Sequence, residues 1–273
     1  IWFVSNGGAF CQYLSANLDY IFIGRYLGST ELGYYTLAYQ IIIFPLTKLN
    51  PIFTKVMFPV FSIVQNNNHS IRSGYCKIIK YVSLVTFLLM AGILMLAHEF
   101  VNLFLGEKWH PSILLIQILC GVGILKSLGN PSGSVLLAKG RADIGFYINI
   151  FVLILVYWAV IIGLNWGIVG VTLSLLFFSL LIYVPCQMIV NNLIELSIKQ
   201  FVKTLYISIQ CFIMVILFIL CLKWIFGPVV SIVPFLGIVI SSAISYILTV
   251  YWIDREIFME LLSLFGRNQQ CQD

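Results

Sequence analysis

Residues 144–164 read IGFYINIFVLILVYWAVIIGL. No charged side chain interrupts the stretch, and Asn149 is its one amide. A helix rising about 1.5 Å per residue needs about 20 apolar residues to cross a hydrocarbon core of about 30 Å. The apolar residues run on continuously and do not alternate, so a transmembrane β-strand is excluded. The stretch reads as a membrane helix. Working outward, comparable runs occupy 1–27, 33–64, 79–98, 111–129, 168–190, 204–224 and 230–252. The expected fold is an all-α polytopic membrane protein with about eight transmembrane helices.

Composition agrees. The 273 residues are 61% hydrophobic and 9% charged, with a mean hydropathy of +1.03. A soluble domain carries about 45–50% apolar and about 25% charged residues. So few charges cannot cover a water-exposed surface, which excludes a soluble enzyme or a disordered chain. The net charge of +5 does not indicate nucleic acid as a partner, because the cations are scattered between apolar runs. The seven cysteines form no CxxC pair and lie mostly inside those runs, so neither a disulfide framework nor a zinc site is expected. No DxD, HExxH, GxSxG or Walker A pattern occurs. Catalysis has no visible seat, and neither a metal nor another cofactor is expected.

The cations orient the helices. One set of connections holds Arg72, Lys77, Lys80, Lys139, Arg141, Lys199, Lys203, Arg255 and Arg267, and the other holds Arg25, Lys108 and Lys223. The richer set is assigned to the cytoplasm, which places both ends of the chain there. Trp109, Trp166 and Trp224 then mark the outer boundary, and Trp2 and Trp252 the inner one. Two inner connectors, Ser70–Lys80 and Asn191–Lys203, are amphipathic and are expected to lie in the membrane interface. The chain begins at Ile1 inside an apolar run and shows no signal-peptide pattern. It reads as a chain whose N-terminal half is missing.

Ionisable groups within the spans are the informative ones, since a charge at the bilayer centre costs at least about 2.5–3.5 kcal/mol. Asp19 lies in the first span, and Lys48 and Lys55 in the second. Arg25 and Lys126 are placed near helix ends, where they can snorkel. Ser5, Gln12, Ser15 and Asp19 are spaced to share one stripe of the first helix. Lys48 and Lys55 share a face of the second, beside Gln40, Thr47 and Thr54. That second helix is expected to be interrupted by Pro45, Pro51 and Pro59. Two readings stay open. In one, these residues line a net-cationic aqueous cavity for an anionic group. In the other, an Asp19–Lys48 ion pair fixes helix packing. His98 and His110 flank an outer loop without a third ligand, and the cysteines read as small apolar fillers.

Several segments resemble a known family. Residues Asn17–Gly28, followed by Glu31–Tyr35, are similar to the turn "D…iGr.lG…lG.Y" of bacterial polysaccharide flippases. Asn50–Val60 resembles their "P…v.fPvfs" segment, and Phe104–Trp109 their "lfGekW" loop. Leu128–Pro131 and Ala138–Asp143 resemble their "lgnp…l.a.Gra" stretch. The family is the Wzx-type lipid-linked oligosaccharide flippases of the multidrug/oligosaccharidyl-lipid/polysaccharide exporter superfamily.

This resemblance implies a MATE-like architecture of two six-helix lobes with two further helices. Residues 1–190 would be the C-terminal six-helix lobe. Residues 191–273 would supply the amphipathic linker, the two additional helices and a cytoplasmic tail. It also implies export of an undecaprenyl-diphosphate-linked glycan across the bacterial inner membrane, by alternating access between the lobes. The partners implied are membrane lipids, an N-terminal lobe absent from this chain, and a polysaccharide polymerase. Lys48 and Lys55 would offset desolvation of the diphosphate, and the Asp19 stripe would meet sugar hydroxyls, with a further cation-coupling role open to Asp19. Rival readings are a drug antiporter of the same superfamily, which would want an acidic cavity, and a membrane glycosyltransferase or polymerase. An inactive half-gene is the fourth.

Overall fold

The computed structural model describes residues 2–63, 67–227, 231–253 and 255; the side chains of 2–6, 9, 50–60, 226 and 253 are outside the description. The described residues form eight long helices: α1 (Trp2–Tyr26), α2 (Ser29–Ile63), α3 (Asn68–Phe100), α4 (Pro111–Ala138), α5 (Ala142–Leu164), α6 (Gly167–Leu193), α7 (Ile198–Phe226) and α8 (Ile232–Ile253). A π-helical turn, Val101–Leu105, and a 3-10 turn, Glu107–Trp109, fill the connection between α3 and α4. The chain is an all-α polytopic membrane protein. Among the described residues, α3 to α8 are long and apolar enough to cross a membrane. Helices α1 and α2 are long enough too, but carry more polar residues.

The helices reverse direction at each connection. One end of the bundle gathers Leu27–Gly28, the turns around Gly106 and the α5–α6 turn. The opposite end gathers the α2–α3, α4–α5 and α6–α7 connections. Gly28 makes the α1–α2 reversal at φ +93°, a conformation that an L side chain rarely adopts. The α5–α6 hairpin is closer still. A Cβ on Gly163 would lie 2.5 Å from the Val171 Cα, and one on Gly170 would lie 2.5 Å from the Gly163 carbonyl oxygen. The two backbones touch only because both residues lack a side chain.

Three apolar clusters hold the bundle. The first joins α1 to α6 through Ile23, Tyr35, Ile42, Met90, Leu119 and Val171. The second sits at the end that holds the α2–α3, α4–α5 and α6–α7 connections, where Phe61, Ile71, Tyr75, Val135 and Val190 meet. The third packs α3 against α7 and α8 through Leu84, Cys211, Val215 and Tyr246. Burial of such side chains contributes about 1.5–3 kcal/mol each in water. Inside lipid, packing and polar contacts between helices must do more of that work.

The polar contacts between helices are specific. The Tyr75 hydroxyl, the Ser132 hydroxyl and the Gln187 amide form a buried network that reaches Asn191 and ties α3, α4 and α6. Ser83 meets Ser208 at 2.6 Å across α3 and α7, and Thr86 meets Ser127 at 2.7 Å across α3 and α4. Near the other end, where the turns around Gly106 lie, the Lys223 ammonium of α7 reaches the Glu99 carboxylate of α3 at 2.7 Å and also donates to the Met95 carbonyl.

Four expectations change. Helix α2 runs on through Pro45, Pro51 and Pro59 instead of being interrupted. Ser70–Lys80 is no interfacial connector but the first turns of α3, started by Asn67, whose side chain accepts from the Ser70 N–H at 3.1 Å. Its Ile71, Tyr75 and Ile79 are fully buried against protein. The second connector is split between the end of α6, a short turn and the start of α7. There Ile194, Leu196 and Phe201 join the second apolar cluster, while Ile198 and Val202 stay exposed. Finally, α4 continues to Ala138 through Pro131. A proline in a membrane helix is tolerated where neighbours re-satisfy the backbone.

The turns that join α2 to α3, α4 to α5 and α6 to α7 are clasped together. The Asn68 amide donates to the Glu195 carboxylate at 2.8 Å, the Arg72 guanidinium to the Glu195 carbonyl at 3.0 Å, and the Lys139 ammonium to the Asn68 carbonyl oxygen at 2.6 Å. Glu195 takes φ +57° as the residue that ends α6. Trp166, Trp224 and Trp252 are exposed at helix ends, as boundary tryptophans should be.

Candidate functional site

The chemistry of the bundle concentrates where α1, α2 and α4 meet. Asp19 of α1 is 5% exposed. Its carboxylate accepts from the Tyr35 hydroxyl of α2 and, at 3.0 Å, from the Tyr20 backbone N–H. Tyr35 is fully buried. The Asp19–Lys48 ion pair therefore does not form. The partner is a tyrosine, and the joint fastens α1 to α2.

Three tyrosines close around this joint. Tyr20 packs edge-on against Tyr35 and Tyr39 with ring centroids 5.5 and 5.7 Å apart, and Tyr35 stacks on Tyr39 at 5.8 Å. The Lys126 ammonium of α4 donates to the Tyr39 hydroxyl at 2.6 Å and lies 4.9 Å from that ring's centroid. Lys126 is twelve residues from the end of α4 at Ala138, about 18 Å along the axis at 1.5 Å per residue. It is not a terminal, snorkelling lysine.

The remaining predicted residues fall around this centre. Gln12 shares the Asp19 stripe but is exposed. Ser15 donates to the Cys11 carbonyl at 2.6 Å, with the Gln12 carbonyl at 3.3 Å, so its hydroxyl is satisfied on its own helix. Lys48 is exposed and lies 5.8 Å over the Phe44 ring. Gln40 and Thr47 are exposed on the same helix. Arg25 is exposed in the last turn of α1. The side chains of Ser5, Thr54 and Lys55 are outside the description. Asp19 is buried while Gln12, two turns inward on the same stripe, is exposed. Helix α1 packs on α5 and α2 packs on α4. The two helices are thus joined at Asp19–Tyr35, and beyond that joint Gln12, Gln40, Thr47 and Lys48 are exposed.

No signal pointed to the three tyrosines as a group, although Tyr35 and Tyr39 stand four residues apart on one face of α2. Lys126 was misplaced because the fourth span was ended at 129. Glu99 falls one residue past the apolar run 79–98, and the structure places it inside α3. The His98 and His110 rings are 6.1 Å apart and His98 meets Asn102 at 3.0 Å. Among the described residues, no group of three metal-binding side chains converges.

Asp19 and the three tyrosines of this centre lie within a segment that matches a known protein family. Residues 4–114 match the family described as polysaccharide biosynthesis protein. The chain is 36% identical over 198 residues to the lipopolysaccharide biosynthesis protein WzxC of Escherichia coli, covering 72% of this chain and 40% of that one. The chain is a relative of the Wzx-type polysaccharide flippases. It is also 46% identical over 142 residues to the teichuronic acid biosynthesis protein TuaB of Bacillus subtilis, covering 52% of this chain and 29% of the relative. A membrane protein of the cps region of Klebsiella pneumoniae is 26% identical over 261 residues, 93% of this chain and 53% of that protein. The chain thus spans from under a third to about half of the length of these relatives. No solved structure matches it. Its Asp19–Tyr35 joint and Tyr39 lie within the matched segment, and Lys126 lies beyond residue 114.

Proposed function

We propose that this chain serves polysaccharide biosynthesis as a translocating part of a flippase that carries an undecaprenyl-diphosphate-linked oligosaccharide across the bacterial inner membrane. In this reading both ends of the chain face the cytoplasm. Residues 1–190 act as one six-helix lobe against a second lobe, and 191–273 add a linker, the α7–α8 pair and a tail. The observation that carries the reading is the exposure of polar residues on α1 and α2 on one side of the Asp19–Tyr35 joint. Exposed Gln12, Gln40, Thr47 and Lys48 are unsuited to lipid tails and suited to a polar, anionic cargo. Fixed ammonium groups offset the desolvation of a diphosphate in a layer of low dielectric, where each charge interaction is stronger than in water.

A drug antiporter would need acidic groups open to a cationic cargo. Asp19 is buried and already bonded to Tyr35, which leaves that reading without its main residue. The test is a double substitution, Lys48→Gln with Lys55→Gln, in cells that depend on this protein for surface polymer. Polymer export falls to background while the protein still reaches the membrane in normal amount. Normal export by that variant refutes the role of the two lysines.

A further inference from the structure

The open space beside Lys126 has a defined shape. Gly133 and Leu137 stand seven and eleven residues further along α4, on the same side of the helix, and both are exposed. A Cβ built on Gly129 or Gly133 would meet nothing within 4 Å. By contrast, one on Gly121 would lie 2.7 Å from a Leu176 methyl, and one on Gly123 would lie 2.7 Å from an Ile42 methyl. The outer half of α4 is therefore packed on these sides, and its inner half carries an unfilled strip. The strip runs from Lys126 to Leu137, about 16 Å at 1.5 Å per residue. It ends where a cation, a phenol oxygen and aromatic rings converge: the Lys126 ammonium on Tyr39, with Tyr20 edge-on beside it.

We propose that this strip and its head form a binding subsite for a phosphorylated saccharide, with a phosphate oxygen on the Lys126 ammonium and a sugar ring over Tyr39 and Tyr20. The proposal rests on the flippase reading and assigns the contact to a residue that reading does not use. Three physical points carry it. An ammonium in mid-membrane is costly unless it meets a polar group or open polar space, and the single Tyr39 hydroxyl satisfies one of its three donors. Among the described residues no carboxylate lies within ion-pair distance of it, because Asp19 is held by Tyr35. The Tyr39 ring, half-buried and held by Tyr35 and Tyr20, is a rigid face costing little entropy to present. The glycine strip gives the rest of the cargo a path along α4 where any larger side chain would protrude.

The test is binding by the full chain in lipid nanodiscs, which separates this subsite from transport. The probe is a short-chain polyprenyl diphosphate bearing one N-acetylglucosamine, with the same polyprenyl alcohol as control. The chain binds the probe and not the alcohol. Lys126→Gln weakens binding at least tenfold, Lys126→Arg by less than threefold, and Gly133→Trp, which fills the strip, at least tenfold. Thermal unfolding of each variant stays within a few degrees of the unaltered chain. Binding that Lys126→Gln and Gly133→Trp leave intact overturns the subsite but not the flippase reading. Failure of the unaltered chain to bind the probe overturns both.

Discussion

The ion pair between Glu99 and Lys223 allows a quantitative test of how α7 is held to α3. The Glu99 side chain is 10% exposed and that of Lys223 24%. One carboxylate oxygen receives the ammonium at 2.7 Å; the other, Oε2, has no hydrogen-bond partner among the described residues. Glu99 thus depends on Lys223, whereas Lys223 has a second acceptor in the Met95 carbonyl. Lys223 also stands in the last turn of α7, from which its long stem can carry the charge to the outer interface. Glu99 has a shorter side chain and no such escape. Removing one partner of a buried pair costs about 3–5 kcal/mol because the other charge is stranded. That full cost applies to Lys223→Met. In Glu99→Gln the amide still accepts from Lys223, and the ammonium can move outward. The loss is then that of one charge-assisted bond less the gain from rehydration, about 1–2 kcal/mol. Replacing both residues by methionine removes the stranded charge and is expected within about 1 kcal/mol of the unaltered chain. The measurement is equilibrium unfolding in mixed detergent micelles, with the four chains compared under one set of conditions. The order Lys223→Met, then Glu99→Gln, then the double variant is expected from most to least destabilised. A Glu99→Gln cost equal to or above that of Lys223→Met refutes the argument, as does a double variant that loses the sum of the two singles.

Three further outcomes are expected. Gly163→Ala puts a Cβ 2.5 Å from the Val171 Cα and 2.8 Å from the Gly170 carbonyl oxygen, both backbone atoms that cannot rotate away; it should lower stability by about 1–3 kcal/mol or more. Gly133→Ala, which meets nothing within 4 Å, should be neutral or up to about 1 kcal/mol stabilising on helix propensity alone, and thermal unfolding of the two variants side by side checks both. Tyr35→Phe leaves one oxygen of a 5% exposed carboxylate without its donor and should cost about 1–3 kcal/mol, read from the same unfolding curves, with Asp19→Asn in the Tyr35→Phe background recovering part of it.

Hydropathy alone was sufficient to count the helices, because each long apolar run must satisfy its own backbone inside lipid and can do so only as a helix. The run at 144–164 became α5, Ala142–Leu164, with two residues of difference. The ends were harder to read where polar residues belong to a helix that outlasts the hydrocarbon layer. Ser70, Arg72 and Lys80 look like a connector in sequence, yet they lie on α3, which is 33 residues long, about 50 Å at 1.5 Å per residue. The same effect hid the depth of Lys126, since Asn130 and Pro131 suggested an end that α4 ignores. The stripe on α1 was legible from spacing, but Asp19's partner was not. Both Lys48 and Tyr35 lie on α2, and spacing within a helix says nothing about how two helices slide against each other. Only packing determines that Tyr35 stands opposite.

The pairings inside the bundle change what the few charges mean. Among the described residues two acidic side chains lie buried: Asp19 bonded to a phenol, and Glu99 bonded to a lysine. Each is consumed by a contact that holds two helices together. Lys48 and Lys126 differ. They are exposed, they rest on Phe44 and Tyr39, and among the described residues neither forms an ion pair with a carboxylate. Asp19 and Glu99 are thus turned inward as fasteners, whereas Lys48 and Lys126 face open space. A bundle built only to be stable in lipid would gain nothing from that arrangement, since an exposed ammonium at mid-depth is the costlier of the two. The asymmetry is explained if an anion visits the uncovered side of α2 and α4. It then follows that reversing the sign there, with Lys126→Glu, should abolish probe binding more completely than Lys126→Gln, because repulsion is added to the loss of attraction.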